Sequence, residues 1–298
     1  MVIQPLTLAD KSLFDRYAYR TTMRLSSYAF AALYIWQNLF EFHWAIIDDR
    51  FCVFAKHGGD YFMPIMPMGS APSERAIRES YAFMLQANRN KQIARIENVP
   101  EERVSFFQQM GFRAALKETE YVYETEALIQ LGGNRYKSKR SAYNAFVKNY
   151  PAAALEPYQP CYLADCLALY DSWRQERQAK YDEPIYQGML DDSWHAHRTG
   201  LMTAAQLGLI GRVVYIDGEL KGYIFGYPLN SKIFCILFEV TRLELKGLPQ
   251  FIYREFCREQ TDYQWINAMD DSGLENLKRV KLSYRPAGLI SSYNVFLP

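Results

Sequence analysis

The chain has 298 residues, 49% hydrophobic and 22% charged, with a formal net charge of +1. That much apolar material can fill two ordinary cores and excludes a disordered chain. The near-zero net charge excludes whole-molecule capture of nucleic acid, so an anionic partner would need a local basic patch.

Cys52, Cys161, Cys166, Cys235 and Cys257 form no C-x-x-C pair, which points to free, buried thiols in a reducing compartment. The start, MVIQPLTLADKSLFDRY, has no basic region followed by an apolar run. The longest uncharged stretch, Leu25 to Phe40, falls short of the ~20 apolar residues that span a bilayer. The expectation is a cytoplasmic protein, or one peripheral to the membrane, with no transmembrane segment. Tyr28, Tyr34 and Trp36 in this stretch read as core.

Three strand-like runs come next, FHWAIIDD, RFCVFAK and DYFMPIMPM, separated by Asp49-Arg50 and His57-Gly58-Gly59. The spacing then predicts a helix from about Ser73 to Ala87, a strand QIARIEN, a helix PEERVSFFQQM stopped by Gly111, and a strand TEYVYETE. The stretch YKSKRSAYNAFVKNYP and two helices, about Tyr162 to Lys180 and Glu183 to Thr203, lead into the second half. There LGLIGRVVYI turns at Asp217-Gly218 into LKGYIFGYP, and SKIFCILFEVTRL is the third strand. A helix LPQFIYREFCREQ, a strand YQWINA, a helix opened by Ser272 and Glu275 as a capping box, and AGLISSYNVF complete the chain. Both halves read strand, strand, strand, helix, strand, helix, strand. Residue identity between them is negligible, so the repeat lies in the order of elements. It predicts an α+β fold of two copies, each a mixed, mainly antiparallel sheet flanked by helices. The expected boundaries are 1–130 and 131–298, the connecting helices falling in the second.

Two helices carry cations where they are disfavoured. In YKSKRSAYNAF, Tyr143, Phe146, Val147 and Tyr150 keep helical spacing, and Lys137, Lys139 and Arg140 crowd the first turn. Exposed cations there cost about 0.3–1 kcal/mol each against the helix dipole. With the free N–H groups they make an anion site; the plainer reading is a solvated basic turn. In the last helix, Leu274, Leu277, Val280 and Tyr284 form one apolar stripe, and Lys281 lies inside it, downstream of Asp270 and Asp271. Lys281 either snorkels to water or points into a cavity, where its ammonium needs Asp270, Glu239 or a substrate phosphate. Glu239 follows the apolar run Phe234 to Phe238 near the end of a strand, as a base or as an acid at a sheet edge. His195 and His197 stand two apart without a third ligand at recognisable spacing, so no metal site is expected.

NRYKSKRSAYNAFVKNYP (134–151) and INAMDDSGLENLKRVKLSYRP (266–286) resemble signature segments of the C-terminal domain of bacterial phosphatidylglycerol lysyltransferases. SYAFAALYIWQ (27–37) is similar to stand-alone proteins that share this domain. The resemblance covers nearly the whole chain, with 160–205 matching poorly. It implies two tandem GNAT-like copies related to Fem-type aminoacyl transferases, which pass an aminoacyl group from aminoacyl-tRNA to an amine or hydroxyl. No counterpart of the membrane-spanning flippase half of the lysyltransferases is expected, so lipid modification does not follow directly from the resemblance.

The functional expectation is an aminoacyl or acyl transferase acting on a phosphate-bearing acceptor such as a phospholipid headgroup. Asp270 or Glu239 would take the proton of the attacking group, and Lys281 would stabilise the oxyanion. Lys137, Lys139 and Arg140, with Asn267, Asp271 and Tyr284, would hold substrate and phosphate. The expected partners are an anionic small molecule or lipid headgroup and a tRNA 3′ end. No resident cofactor is indicated; aminoacyl-tRNA or acyl-CoA is the expected donor. The alternatives are a non-catalytic module binding an anionic metabolite or lipid, and N-acetyl transfer from acetyl-CoA. Against the last, the GNAT pyrophosphate loop (Q/R-x-x-G-x-G/A) is poorly matched. RLELKGLPQF has one glycine, Gly247, and MPMGSAPSE supplies Gly69 and Ala71 without the leading Gln or Arg.

Overall fold

A computed structural model describes residues 2–21, 23–180 and 183–298. In chain order the first part contains β1 (Gln4–Pro5), α1 (Lys11–Thr21), α2 (Phe30–Tyr34), β2 (Glu41–Ile47), β3 (Arg50–His57) and β4 (Asp60–Phe62). It continues with α3 (Glu74–Ala87), β5 (Ile96–Pro100), α4 (Glu101–Gln109) and β6 (Arg113–Glu124). The connection holds α5 (Thr125–Gln130), α6 (Lys137–Asn149), β7 (Glu156–Pro157), α7 (Leu163–Lys180), α8 (Pro184–Met202) and α9 (Ala204–Leu207). The last part is β8 (Ile210–Ile216), β9 (Glu219–Pro228), β10 (Ile233–Thr241), α10 (Leu248–Arg258), β11 (Trp265–Asn267), α11 (Glu275–Ser283) and β12 (Gly288–Phe296). The predicted order of elements is present twice, as β2 to β6 and β8 to β12.

The chain forms two compact units. One comprises Met1–Glu120, Asp270–Glu275 and Leu289–Pro298; the other Tyr121–Met269 and Asn276–Gly288. In the first, β1 to β4 pair in sequence, all antiparallel. Asp48 and Asp49, at φ 50° and 54°, supply the two left-handed residues of a tight hairpin. Phe51 to Ala55 of β3 are all fully buried, the continuous apolar pattern of a strand covered on both faces. The run DYFMPIMPM departs from expectation: only Asp60–Phe62 is a strand, followed by single bridges at Met63 and Met68. Pro64 and Pro67 each lack the N–H that a ladder needs. Tyr28 is core as expected, its hydroxyl donating to the Asn98 carbonyl at 3.0 Å.

In the second unit the end of β6 pairs antiparallel with β11, β11 runs parallel to β10, and β10, β9, β8 and β7 form an antiparallel meander. β12 pairs with β5 in the first unit. The closing strand of each repeat therefore pairs with the preceding strand of the other. α10 buries Leu248, Phe251, Ile252, Phe256 and Cys257 in a core cluster with Phe234, Ile236 and Ile266. Cys161 is exposed in a 3-10 turn, unlike the other four cysteines, which are buried. His197 is a core residue: it stacks on Phe238 at 3.9 Å, Nδ1 lies 2.8 Å from the Tyr223 hydroxyl, and burial pulls its pKa to about 3. Among the described residues no helix is long and apolar enough to cross a membrane.

Candidate functional site

β10 carries a bulge. Ile236 lies opposite Gly226 and Phe238 opposite Phe225, leaving Leu237 as the extra residue. Bulges bend a strand and re-aim the side chains beyond them. The next residue but one, Glu239, is exposed between buried Phe238 and Val240. Its carboxyl is nevertheless raised to about 7, first by burial, with Lys139 and Lys281 pulling it back. Desolvation disfavours the charged form of this carboxyl, and the two ammonium groups favour it.

Lys139 is third in α6, whose N-terminus has no side-chain cap. Its Nζ lies 4.1 Å above the Tyr284 ring. Desolvation lowers its pKa, with Glu239 opposing. Tyr284 is buried, its ring 5.1 Å from that of Tyr253 and 6.4 Å from that of Tyr123. Two tyrosine hydroxyls fix the end of α11: Tyr123 donates to the Lys281 carbonyl at 2.9 Å and Tyr136 to the Tyr284 carbonyl at 3.1 Å. Glu239, Lys139, Lys281 and Tyr284 all belong to the second unit.

Lys281 turns inward, and its ammonium meets backbone carbonyls. Its ammonium donates to Ala268 O and, at 3.3 Å, to Met269 O, and lies 5.8 Å from the Tyr121 ring. Replacing Lys281 with Met is expected to cost about 1–3 kcal/mol, because these carbonyls lose a charged donor. Thermal unfolding checks this, and an unchanged melting temperature would show that the clamp contributes nothing. The stripe is also rotated from expectation: Val280 is 51% exposed, and the inward positions are Leu277, Lys281 and Tyr284. The capping box does not form. Ser272 has φ 52°, whereas an N-cap needs extended backbone. Instead its N–H donates to Asp270 Oδ1 at 2.6 Å and the Gly273 N–H to Asp271 Oδ1 at 3.0 Å, two successive Asx turns.

The remaining candidates have other surroundings. Asn267 is fully buried and accepts the Met269 N–H at 2.7 Å, shaping the turn that Lys281 holds. Arg140 donates to the Leu131 and Gly133 carbonyls, closing the end of α5. Lys137 is exposed at the first position of α6. Asp271 serves its own loop. Asp270 belongs to the first unit, where it helps raise Glu118.

That second acid lies on β6, with Lys117 Nζ 3.3 Å from Glu118 and 3.1 Å from Glu97. Burial, opposed by Lys117 and aided by Asp270, pushes Glu118 up to about 7. An acid raised by folding is destabilising when ionised: the cost is absent below about pH 4.5 and complete above about pH 7. Glu118→Gln is therefore expected to stabilise the protein by about 1–2 kcal/mol near pH 8 and to leave it unchanged near pH 4. Urea unfolding at both values tests the sign. Lys117 keeps Glu97 in the variant.

Reading the sequence missed the aromatic wall of Tyr121, Tyr123, Tyr136 and Tyr253. Tyr121 and Tyr123 share one face of β6 by their spacing of two, but nothing local tells that face from its opposite. A cavity of about 500 Å³ in the second unit, lined by Tyr158, Leu163, Leu201, Met202 and Leu209 among others, contains none of the candidate residues. In each of the two loops weighed for coenzyme A, the protein itself lies close to the glycine. A Cβ on Gly247 would lie 2.3 Å from the Ala142 carbonyl oxygen of α6, and one on Gly69 would lie 2.3 Å from Arg50 Cδ. Arg50 Nε donates to Ala71 O at 2.6 Å.

A conserved protein of unknown function from Bacteroides thetaiotaomicron superposes with a TM-score of 0.90 at 23% identity, covering 99% of each chain. The structure of L-PGS from Bacillus licheniformis gives 0.66 at 14%, over 97% of this chain and 92% of that one. A tandem GNAT protein from the clavulanic acid biosynthesis pathway gives 0.52 at 10%, over 98% and 97%. An uncharacterized protein of Mycoplasmoides gallisepticum is 26% identical over 180 residues, 59% of this chain and 56% of that protein, so the match spans little more than half of that relative. The likenesses in structure show the fold, an α+β chain of two tandem GNAT-like copies. Residues 20–296 match the family described as phosphatidylglycerol lysyltransferase, C-terminal, and the chain belongs to that family.

Proposed function

We propose that the protein is an aminoacyl transferase that draws on aminoacyl-tRNA and acts on a phosphate-bearing acceptor. Glu239 carries this reading. A general base works best with a pKa near the working pH, and this carboxyl, raised to about 7, is open to water beside two ammonium groups. The acceptor amine or hydroxyl attacks the ester carbonyl while Glu239 takes its proton. The charge that develops on the carbonyl oxygen is offset by Lys139 and Lys281. The ester C–O bond then breaks and the ribose hydroxyl leaves with that proton. The uncapped start of α6, with Lys137, offers N–H groups and a cation to a phosphate. The family's name puts a lysyl group and phosphatidylglycerol first among donors and acceptors.

The test is incubation of the full chain with a panel of aminoacyl-tRNAs and vesicles containing phosphatidylglycerol, reading the aminoacyl group transferred to lipid. Transfer from at least one is expected. Binding of vesicles or inorganic phosphate with no transfer from any member of the panel would make the protein a binding module and overturn the proposal. Acetyl-CoA is expected to give no heat of binding in calorimetry, since Arg50 and α6 press close on the glycines of its loops. A stoichiometric heat would restore acetyl transfer.

A further inference from the structure

The segment YQPCYL and the run GLMTAAQLGL meet around the cavity of about 500 Å³ in the second unit, which the reading above leaves unused. Pro157 lacks an N–H and ends the short edge strand β7, after which the Tyr158 N–H donates to Gly211 O at 3.0 Å. The chain then turns through Pro160 into α7. Past α8, Gly208 at φ 72° closes α9 after a single turn, and the Leu209 N–H reaches back to Ala204 O at 2.8 Å. The Tyr158 hydroxyl joins the two walls by donating to Leu201 O, at the end of α8, at 3.2 Å. The hollow is thus held open by the fold itself, at a size common for ligand pockets, ~300–1,000 Å³.

Its lining is graded. Leu201, Ala204 and Gly211 are buried and Leu163 and Leu209 half-buried, so the inner surface is aliphatic. Phe225 backs it: a Cβ on Gly211 would lie 2.2 Å from that ring, which also meets the Tyr158 ring edge-on at 4.9 Å. At the rim stand the exposed carboxamides of Gln159 and Gln206 and the side chain of Met202, which is 53% exposed. None of the lining residues is charged. The start of α7 offers little to an anion, because the N–H groups of Tyr162 and Leu163 are spent on the Gln159 and Pro160 carbonyls. We propose that this cavity binds an uncharged single-chain aliphatic ester or alcohol. Its chain lies inward against the leucines, and its polar head hydrogen-bonds to the carboxamides at the rim.

The proposal goes beyond aminoacyl transfer and does not depend on it. Gly211 pairs with Phe225, and Phe225 with Phe238, which stacks on His197 of α8. Arg212, Ile224 and Glu239 form the next row of the sheet. Side chains alternate along a strand, so this row faces the opposite way. A molecule in the cavity therefore sits across the sheet from Glu239.

The experiment titrates monooctanoylglycerol, below its micellar concentration, into the full chain by calorimetry. Saturable binding of one molecule per chain is expected. Monohexanoylglycerol should bind more weakly by about fourfold for each methylene removed, and glycerol should give no heat. Octanoate, whose carboxylate meets no lining cation, should bind at least about tenfold more weakly than the glyceride. Ala205→Trp, which places an indole at the exposed mouth, should weaken binding at least about tenfold while the melting temperature holds. A second readout needs no variant: in carbon NMR of the methionine methyl groups, ligand should shift Met202 and leave Met63, fully buried in the first unit, unmoved. No saturable binding, binding indifferent to chain length or to Ala205→Trp, octanoate as tight as the glyceride, or equal shifts at Met202 and Met63 would each overturn the proposal. None of these readouts involves aminoacyl-tRNA, so its failure and that of the transferase are told apart.

Discussion

Glu239→Gln is expected to lower kcat/KM for aminoacyl transfer by about 10²- to 10⁴-fold, the usual contribution of a positioned general base. The wild-type profile should rise with pH through about 7 as the carboxyl ionises, and that limb should vanish in the variant. The effect separates from folding by its sign. Burial raises this acid from 4.5 to about 7, so ionisation works against the folded state, increasingly between those two values. Glutamine mimics the protonated form, and the variant should melt no lower than wild type near pH 8. Loss of activity without loss of stability is the signature of a base. A variant that keeps its activity and its pH limb would take the role from Glu239.

The order of elements was legible because its signals are local. Asp217-Gly218 adopts the two left-handed φ angles that its hairpin requires, and Gly111 the one past the end of α4. The apolar run ending in a lone acid was equally plain, and it marked Glu239. What failed was phase and partnership. The stripe drawn through Val280 assumed that α11 began at a serine cap. Asp270 and Asp271 instead bond the backbone two residues on, and the helix starts at Glu275 with Val280 outward. Lys281 was placed on the apolar stripe with two directions open, water or the interior, because its carbonyl partners come from a turn at 268–269 that nothing near it in sequence announces. Arg140 fails in the same way: a guanidinium in a first turn looks free until the preceding helix end supplies carbonyls for it. The tyrosine wall is the extreme case. Four residues from β6, the start of α6 and α10 meet only through tertiary packing, and each alone reads as ordinary core.

The join between α6 and α10 gives the second large effect. Gly247→Ala is expected to destabilise the protein by about 2–5 kcal/mol, the sum of two causes. Gly247 has φ 90°, a left-handed backbone that costs a residue with a Cβ about 1–2 kcal/mol. Its new methyl would also stand 2.3 Å from the Ala142 carbonyl oxygen and 2.9 Å from Phe146 Cβ, and overpacking of this kind costs about 1–3 kcal/mol. Gly218→Ala isolates the first cause, since Gly218 has φ 79° with no heavy atom near its missing Cβ. The excess of Gly247→Ala over Gly218→Ala in urea unfolding therefore measures how tightly the two helices are pressed together. Equal unfolding free energies for the two glycine variants would mean that α6 yields freely to the added methyl.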